Sequence, residues 1–364
     1  MKEVVKSVSH QQVVKLLHNK FVVVLGDSIQ RSVYKDLVLL LQSDKYLTAS
    51  QLRSKGEQSF QQDCLVEGGS LGALHNGTEY REVRQYQSDH HLLRFYFITR
   101  IYSTYMKSIL SDFRRGPKPD VVIVNSCVWD ISRYDSEWLE NYKEHLHQFF
   151  DDLNGVLPME SLVIWNVTMP LAKKIRGGFL VSEHKAAHLR SDVIEANFFG
   201  GTLADGYGLD VLDLHFEFRF SLQHRAKDGV HWNAVAHRRI SWLLLQHMAQ
   251  AWGSNCPAPS LQWVSIHGVQ LRTSEFRCLR PHRPECTQRS STATPPHRPV
   301  GPTLTTRRRG AEPADTVTCT HISTSDGLNE ARYRHSYQAQ KASRAYCFEK
   351  GQVTNTSTVS FCIM

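Results

Sequence analysis

The stretch "FVVVLGDSIQRSVYKDLVLLL", Phe21 to Leu41, decides how the chain is read. Five apolar residues, Phe21 to Leu25, stop abruptly at Gly26-Asp27-Ser28. Val33, Leu37, Leu40 and Leu41 then recur at helical spacing. A short, continuously apolar run followed by a 3.6-residue period reads as a buried strand, a tight turn and an amphipathic helix. Gly26 allows a turn that a Cβ would obstruct. Ser28 has two readings on that turn. It is either the residue that caps the helix, because Ser and Asp satisfy an orphan N–H there, or a nucleophile held at the carboxyl end of a strand.

The same alternation continues outward. "LLRFYFI" (Leu92 to Ile98), "DVVIVN" (Asp120 to Asn125), "SLVIWN" (Ser161 to Asn166) and "DVLDL" (Asp210 to Leu214) read as strands. Helical patterns lie between them, at Tyr102–Phe113, Ser136–Leu153 and about Ala187–Phe199, with a last one at Ala234–Trp252. Val4, Val5, Val8, Val13, Val14 and Leu17 suggest a further short amphipathic helix before the first strand. Strands apolar on both faces, alternating with helices, predict a parallel sheet covered on both sides, an α/β class. In such sheets chemistry collects at the carboxyl ends of the strands, where Ser28 and Asn125 both fall.

Composition divides the 364 residues in two. The net charge is +8, yet residues 253–364 hold 14 Lys and Arg against 7 Asp and Glu, leaving 29 against 28 in residues 1–252. Nine of 13 prolines and six of eight cysteines also lie after residue 252. That segment has no apolar period and is expected to be disordered. Its cysteine content suggests alternative splicing or a shifted reading frame. Arg307–Arg309 reads as a solvated charge run, since no aromatic platform accompanies it for nucleic acid. Residues 1–252 are expected to form one domain. No apolar run reaches the roughly 18 residues of a membrane span. "MKEVVKSVSHQQVVKLLHNK" lacks the apolar core of a secretory leader. A place in the cytosol or nucleus is the expectation.

"KDGVHWN", Lys227 to Asn233, supplies a candidate base just before the last helix. Asp228 and His231 lie three apart, so one loop can carry a general base and the carboxylate that fixes its tautomer. The plain alternative is that Asp228 caps the last helix and His231 packs beside Trp232. Asn125 ends a buried strand with an amide, suited either to a loop hydrogen bond or to donation toward an oxyanion. His90, His91, His145 and His147 have no metal-ligand spacing, and no metal is expected.

"VVLGDSIQR", "DVVIVNSCVWD" and "KDGVHWN" together resemble the blocks of the GDSL/SGNH hydrolases, in particular the PC-esterase branch that includes plant trichome-birefringence-like and fungal capsule acyl-transfer proteins. The matching positions are Ser28, Arg31, Asn125, Trp129, Asp228 and His231, and residues 15–252 resemble the animal members of that branch. The resemblance implies a flavodoxin-like, three-layer α/β/α fold and cofactor-free ester chemistry, as hydrolase or acyl transferase. Ser28 would be the nucleophile, His231 the base and Asp228 its orienter. Gly26, Asp27, Asn125 and Arg31 would shape the oxyanion and substrate side. A glycine donor is also usual, and Gly68 and Gly69 are the candidates. The substrate would be an unidentified acyl ester. A binding or adaptor module on the same fold, without efficient turnover, stays open beside this reading.

Overall fold

In the computed structural model, which describes residues 9–134, 138–176 and 183–253, the run at Phe21 becomes strand β1 (Lys20–Gly26), and the periodic segment after it becomes helix α2 (Ser28–Leu40). Helix α1 (His10–Leu16) precedes them. After α2 come α3 (Ala49–Arg53), then strands β2 (Cys64–Gly68), β3 (Glu82–Gln87) and β4 (His91–Phe97). The chain continues through α4 (Thr104–Arg115), β5 (Val121–Val124), α5 (Val128–Arg133), α6 (Trp138–Asn154) and β6 (Leu162–Asn166). It ends with α7 (Glu183–Gly206), β7 (Asp210–Leu212), α8 (Leu214–Phe218) and α9 (Ala234–Ala251).

The strands make one seven-stranded sheet in the order β2-β3-β4-β1-β5-β6-β7 among the described residues. The pairs from β4 through β1, β5 and β6 to β7 are parallel. Numbered in chain order, these parallel strands have the spatial order 2-1-3-4-5 of the flavodoxin-like fold, whose ligands bind where the order reverses, beside the first strand. The expected parallel strands form the centre of the sheet, and antiparallel strands extend it at one edge. β2 and β3 pair antiparallel, and β3 joins β4 antiparallel, so the sheet is mixed. The short Ser88–Asp89–His90 link explains the β3–β4 pairing, because only antiparallel neighbours can be joined by so tight a turn.

Alternation along the strands sets the two layers. Val22, Val24, Val121, Ile123, Leu162 and Ile164 pack with α1, α2 and α9 in one apolar core. The opposite face carries Tyr96 against Phe113 of α4 (6.1 Å between ring centres) and Trp165 against Phe150 of α6 (5.3 Å). Every residue of β5 and β6 is buried, as expected for strands covered on both faces. Within the first layer, α2 and α9 are clamped by an ion pair: Arg238 donates to both Asp36 oxygens at 3.0–3.1 Å and to the Lys45 carbonyl at 2.5 Å. Both partners are almost fully buried. Among the described residues no helix is long and apolar enough to cross a membrane. The expectations for residues 1–8 and 254–364 lie outside the described residues.

Candidate active site

The turn after β1 is fixed by close packing. A Cβ on Gly26 would lie 2.2 Å from Gln30 Cγ and 3.0 Å from the Asn125 carbonyl, so only glycine lets β1 pass so near to β5 and to the first turn of α2. Asp27, not Ser28, is the N-cap: its carboxylate accepts from the Ile29 N–H at 2.8 Å. The capping reading of Ser28 therefore falls away, and its hydroxyl is left for other work. Burial pushes the Asp27 carboxyl up, against the pull of that N–H and of the nearby His231 and Arg31 charges. Ser28 begins the helix, so its own N–H has no carbonyl one turn back to receive it.

The loop before α9 brings the candidate base. Gly229 has φ +87°, and a Cβ there would sit 2.8 Å from Ala172 Cβ and 2.9 Å from the Lys174 carbonyl. That tight turn folds Asp228 back on the residues that follow it. Asp228 Oδ1 accepts from the Val230 and His231 N–H groups at 2.9 and 3.0 Å, and Oδ2 accepts from His231 Nδ1 at 2.7 Å. Burial raises the Asp228 carboxyl, but these donors outweigh it and hold it below the usual carboxylate range. With the ring proton on Nδ1, Nε2 is an acceptor, and the Ser28 hydroxyl lies 2.8 Å from it. α9 has its own cap, Asn233, which accepts from the Ala236 N–H at 3.1 Å. Asp228 is thus not the helix cap that the plain alternative required.

The other anticipated residues are arranged differently. Asn125 is buried at the end of β5, but its Nδ2 donates to the Asn166 carbonyl (2.8 Å) and to Thr168 Oγ1 (3.0 Å). Both amide protons are spent on the segment after β6. Gly69 spends its N–H on the Arg81 carbonyl at 3.0 Å, and Gly68 and Gly69 have φ +67° and +54°. They serve a left-handed turn at the edge strand, because a side chain on Gly68 would strike the Arg81 carbonyl at 2.1 Å. The loop after β4, the strand beside β1, reads Ile98-Thr99-Arg100-Ile101 and has no glycine. Arg31 lines the cavity but is neutralised by buried Glu82 at 3.0 Å. Trp129 stands edge-on to Phe97, with ring centres 5.9 Å apart.

Ser28 and His231 open into a cavity of about 560 Å³, lined also by Lys55, Tyr80, Trp129 and His237. Lys55, Tyr80 and His237 went unnoticed in the sequence. Lys55 and Tyr80 lie in irregular segments around the β2–β3 hairpin, where no period marks them. His237 sits on the buried face of α9, and burial with the nearby His231 charge lowers its pKa to about 3. Glu82 was also missed; it receives Tyr80 OH at 2.8 Å as well as Arg31. Among the described residues no group of three His, Cys, Asp or Glu side chains could hold a metal ion. His90, His91 and His147 instead hydrogen-bond to Asn19, the Val14 carbonyl and Tyr207.

No protein-family model matches the chain. It is 58% identical over 260 residues to the PC-esterase domain-containing protein 1A of Homo sapiens, covering 70% of this chain and 57% of that protein. It is 51% identical over 259 residues to PC-esterase domain-containing protein 1B of Homo sapiens, covering 70% and 60%. The chain therefore spans less than two thirds of the length of these curated relatives. Among solved structures it is similar to an acetyl xylan esterase at 18% identity and a TM-score of 0.38, covering 62% of this chain and 99% of that one. A GDSL-like lipase from Bacteroides thetaiotaomicron is similar at 12% identity and a TM-score of 0.39, covering 64% and 89%.

Proposed function

The chain belongs to the family of PC-esterase domain-containing proteins, and from that premise we propose that it is a serine acyl-esterase or O-acyltransferase with Ser28 as nucleophile. What supports this reading above all is the unbroken relay from Ser28 Oγ to His231 Nε2 and from His231 Nδ1 to Asp228, at 2.8 and 2.7 Å. In the first step Ser28 Oγ attacks the acyl carbonyl while His231 Nε2 takes its proton. Asp228 keeps the ring oriented and steadies the imidazolium. The oxyanion faces the Ser28 N–H at the N-terminus of α2, where the helix dipole favours negative charge. Collapse of the tetrahedral adduct expels the alcohol, which leaves with the proton from His231. Water or a second hydroxyl, deprotonated by His231, then releases the acyl group and restores Ser28. Water gives hydrolysis and another hydroxyl gives transfer.

A second reading, a binding or adaptor module, draws on a specific observation. Asn125 spends its amide within the protein, which leaves backbone N–H groups as the available oxyanion donors. The two readings part on one experiment. The full chain is treated with a fluorophosphonate and assayed on para-nitrophenyl acetate, beside Ser28→Ala, Asp228→Asn and Asn125→Ala. The enzyme reading expects an adduct on Ser28, no turnover by Ser28→Ala, and a loss of up to about 10⁴ in kcat for Asp228→Asn, where the wrong tautomer results. Asn125→Ala should lose roughly 10²–10³ in kcat if the amide turns to the oxyanion during reaction. Equal residual rates in wild type and Ser28→Ala, with no adduct, leave the adaptor reading standing.

A further inference from the structure

The cavity in front of Ser28 is unevenly charged. Its carboxylates are already occupied: Asp27 caps α2, and Asp228 is paired with His231. Arg31 is also spoken for, by Glu82. The other fixed charges lining the cavity are the cations Arg53, Lys55 and Arg133. Lys55 Nζ donates to the His75 carbonyl at 2.9 Å and to Asn76 Oδ1 at 2.5 Å. Both acceptors are neutral, so an ammonium with three protons keeps one proton and its whole charge for something else. Arg53 closes α3, is exposed, and forms no ion pair among the described residues. Arg133 Nη1 approaches the backbone carbonyl of the same Asn76 at 3.5 Å.

Aromatic faces hold two of these cations in place. Lys55 Nζ stands 5.0 Å from the centre of the Tyr80 ring, and the Arg133 guanidinium 4.7 Å from that of Trp129. Both rings line the cavity. Tyr80 is fixed in turn by its bond to buried Glu82. Lys55, anchored over its ring and forming no ion pair among the described residues, is a preorganised receptor, since it needs little further ordering when an anion arrives. Burial and the neighbouring Arg31 push the Lys55 ammonium down, and an entering anion would relieve that cost.

We propose that Lys55 and Arg53 form an anion subsite in this cavity, and that Ser28 acts on acyl esters carrying a carboxylate or phosphate rather than on neutral esters. The proposal rests on the esterase reading of Ser28. Its chemistry separates the two parts of the site: the relay handles the ester, and the cations hold a charged group away from the reacting atoms. Loss of a cation should therefore weaken the specificity for charge, not the proton transfers.

The test uses the full chain and matched para-nitrophenyl esters: the half-esters of succinate, adipate and suberate against butyrate, hexanoate and octanoate. The charged member of at least one pair should have the higher kcat/KM. That preference should fall about tenfold or more in Lys55→Gln, as for loss of a hydrogen bond to a charged group, and should largely return in Lys55→Arg. A charge preference absent from every pair, or unchanged in Lys55→Gln and in Arg53→Gln, overturns the subsite. If no ester is turned over and Ser28 takes no fluorophosphonate, the esterase reading fails on its own, and calorimetry decides the subsite. Mono-n-butyl phosphate and valerate should then bind where 1-butanol does not, and about tenfold more weakly to Lys55→Gln. Binding of one anion and not the other identifies phosphate or carboxylate as the group. Absence of binding by both overturns the proposal.

Discussion

α2 lies between two regions that are held together by different chemistry. On the side of the parallel strands it packs on Val22, Val24, Val121 and Ile123, all fully buried, and its neighbour α9 adds Ile240, Leu244 and Met248. On the side of the hairpin it meets buried charge. Arg84 of β3 is fully buried, with Nε and Nη2 each 2.8 Å from an Asp63 oxygen and Nη1 on the Glu57 carbonyl and on Glu82. Glu82 also receives Arg31, and buried Lys35 is bound to Glu57, Ser54 and the Gln51 carbonyl. The apolar side is non-directional and tolerates exchange of similar shapes. The ionic side is directional: its charges balance only when every fork and carboxylate is in register. The difference separates adhesion from placement. The apolar side binds the layers together, and the ionic side orients the cavity wall that carries Tyr80 and Arg31.

The largest expected effect breaks the ionic side. Arg84→Ala leaves Asp63 a buried carboxylate without its ion pair and leaves Glu82 with Arg31 alone, and should cost about 3–5 kcal/mol in urea unfolding. Arg84→Lys keeps the charge but not the fork, and should fall between the two. A cost below about 1 kcal/mol for Arg84→Ala would mean that the network can rearrange and does not orient anything.

A smaller effect is a titration on the apolar side. His237 of α9 is buried, and its Nδ1 has no hydrogen-bond partner among the described residues. Burial holds its pKa near 3, so the folded chain keeps it neutral where the unfolded chain, with an ordinary value near 6.5, binds a proton. Stability contributed by the neutral ring is complete above pH 6.5 and is lost as the pH falls toward 3. From pH 7 to pH 5 the loss should be about 2 kcal/mol. His237→Leu should flatten that part of the profile relative to wild type. Equal slopes in the two proteins would show that water reaches the ring.

The smallest effect sharpens the contrast. Ile123→Val, at a fully buried position of β5, should cost about 0.5–1.5 kcal/mol, with kcat on para-nitrophenyl acetate within about twofold of wild type. A single methylene removed from the adhesive side should leave placement intact. A fall in kcat much larger than the loss of stability would mean that the sheet itself tunes the site.

The same contrast explains what could be read in the sequence. β1, β4, β5 and β6 announce themselves because their buried faces are built of Val, Ile, Leu and Phe. β3 reads "EVRQYQ" and buries Glu82 and Arg84 with Val83 and Tyr86, so residues that ordinarily mark solvent mark the interior here. α2 misleads in the same way: Gln30, Arg31, Lys35 and Asp36 are all buried. β2 is short and half exposed, and α3 has only five residues, which leaves no period to detect. Ser28 stood out at the Gly26 turn, and Asp228 and His231 by their spacing of three just before the last helix. The destination of the Asn125 amide was not, since it depends on Asn166 and Thr168, more than 40 residues away. Lys55 was hidden for the same reason, its partners being set by the packing of loops.

The bond between Ser28 and His231 spans 203 residues, and the Asp36–Arg238 clamp spans 202. The first joins the start of α2 to the loop before α9, and the second joins α2 to α9 itself. At a synthesis rate of about 5–20 residues per second, the ribosome needs roughly 10–40 s to pass from Ser28 to His231. Throughout that interval the Ser28 hydroxyl has no imidazole within reach to bond to. The clamp therefore acts as a clock as well as a joint: the bond from Ser28 to His231 can close only late, once the segment that carries Arg238 has been made and can reach Asp36.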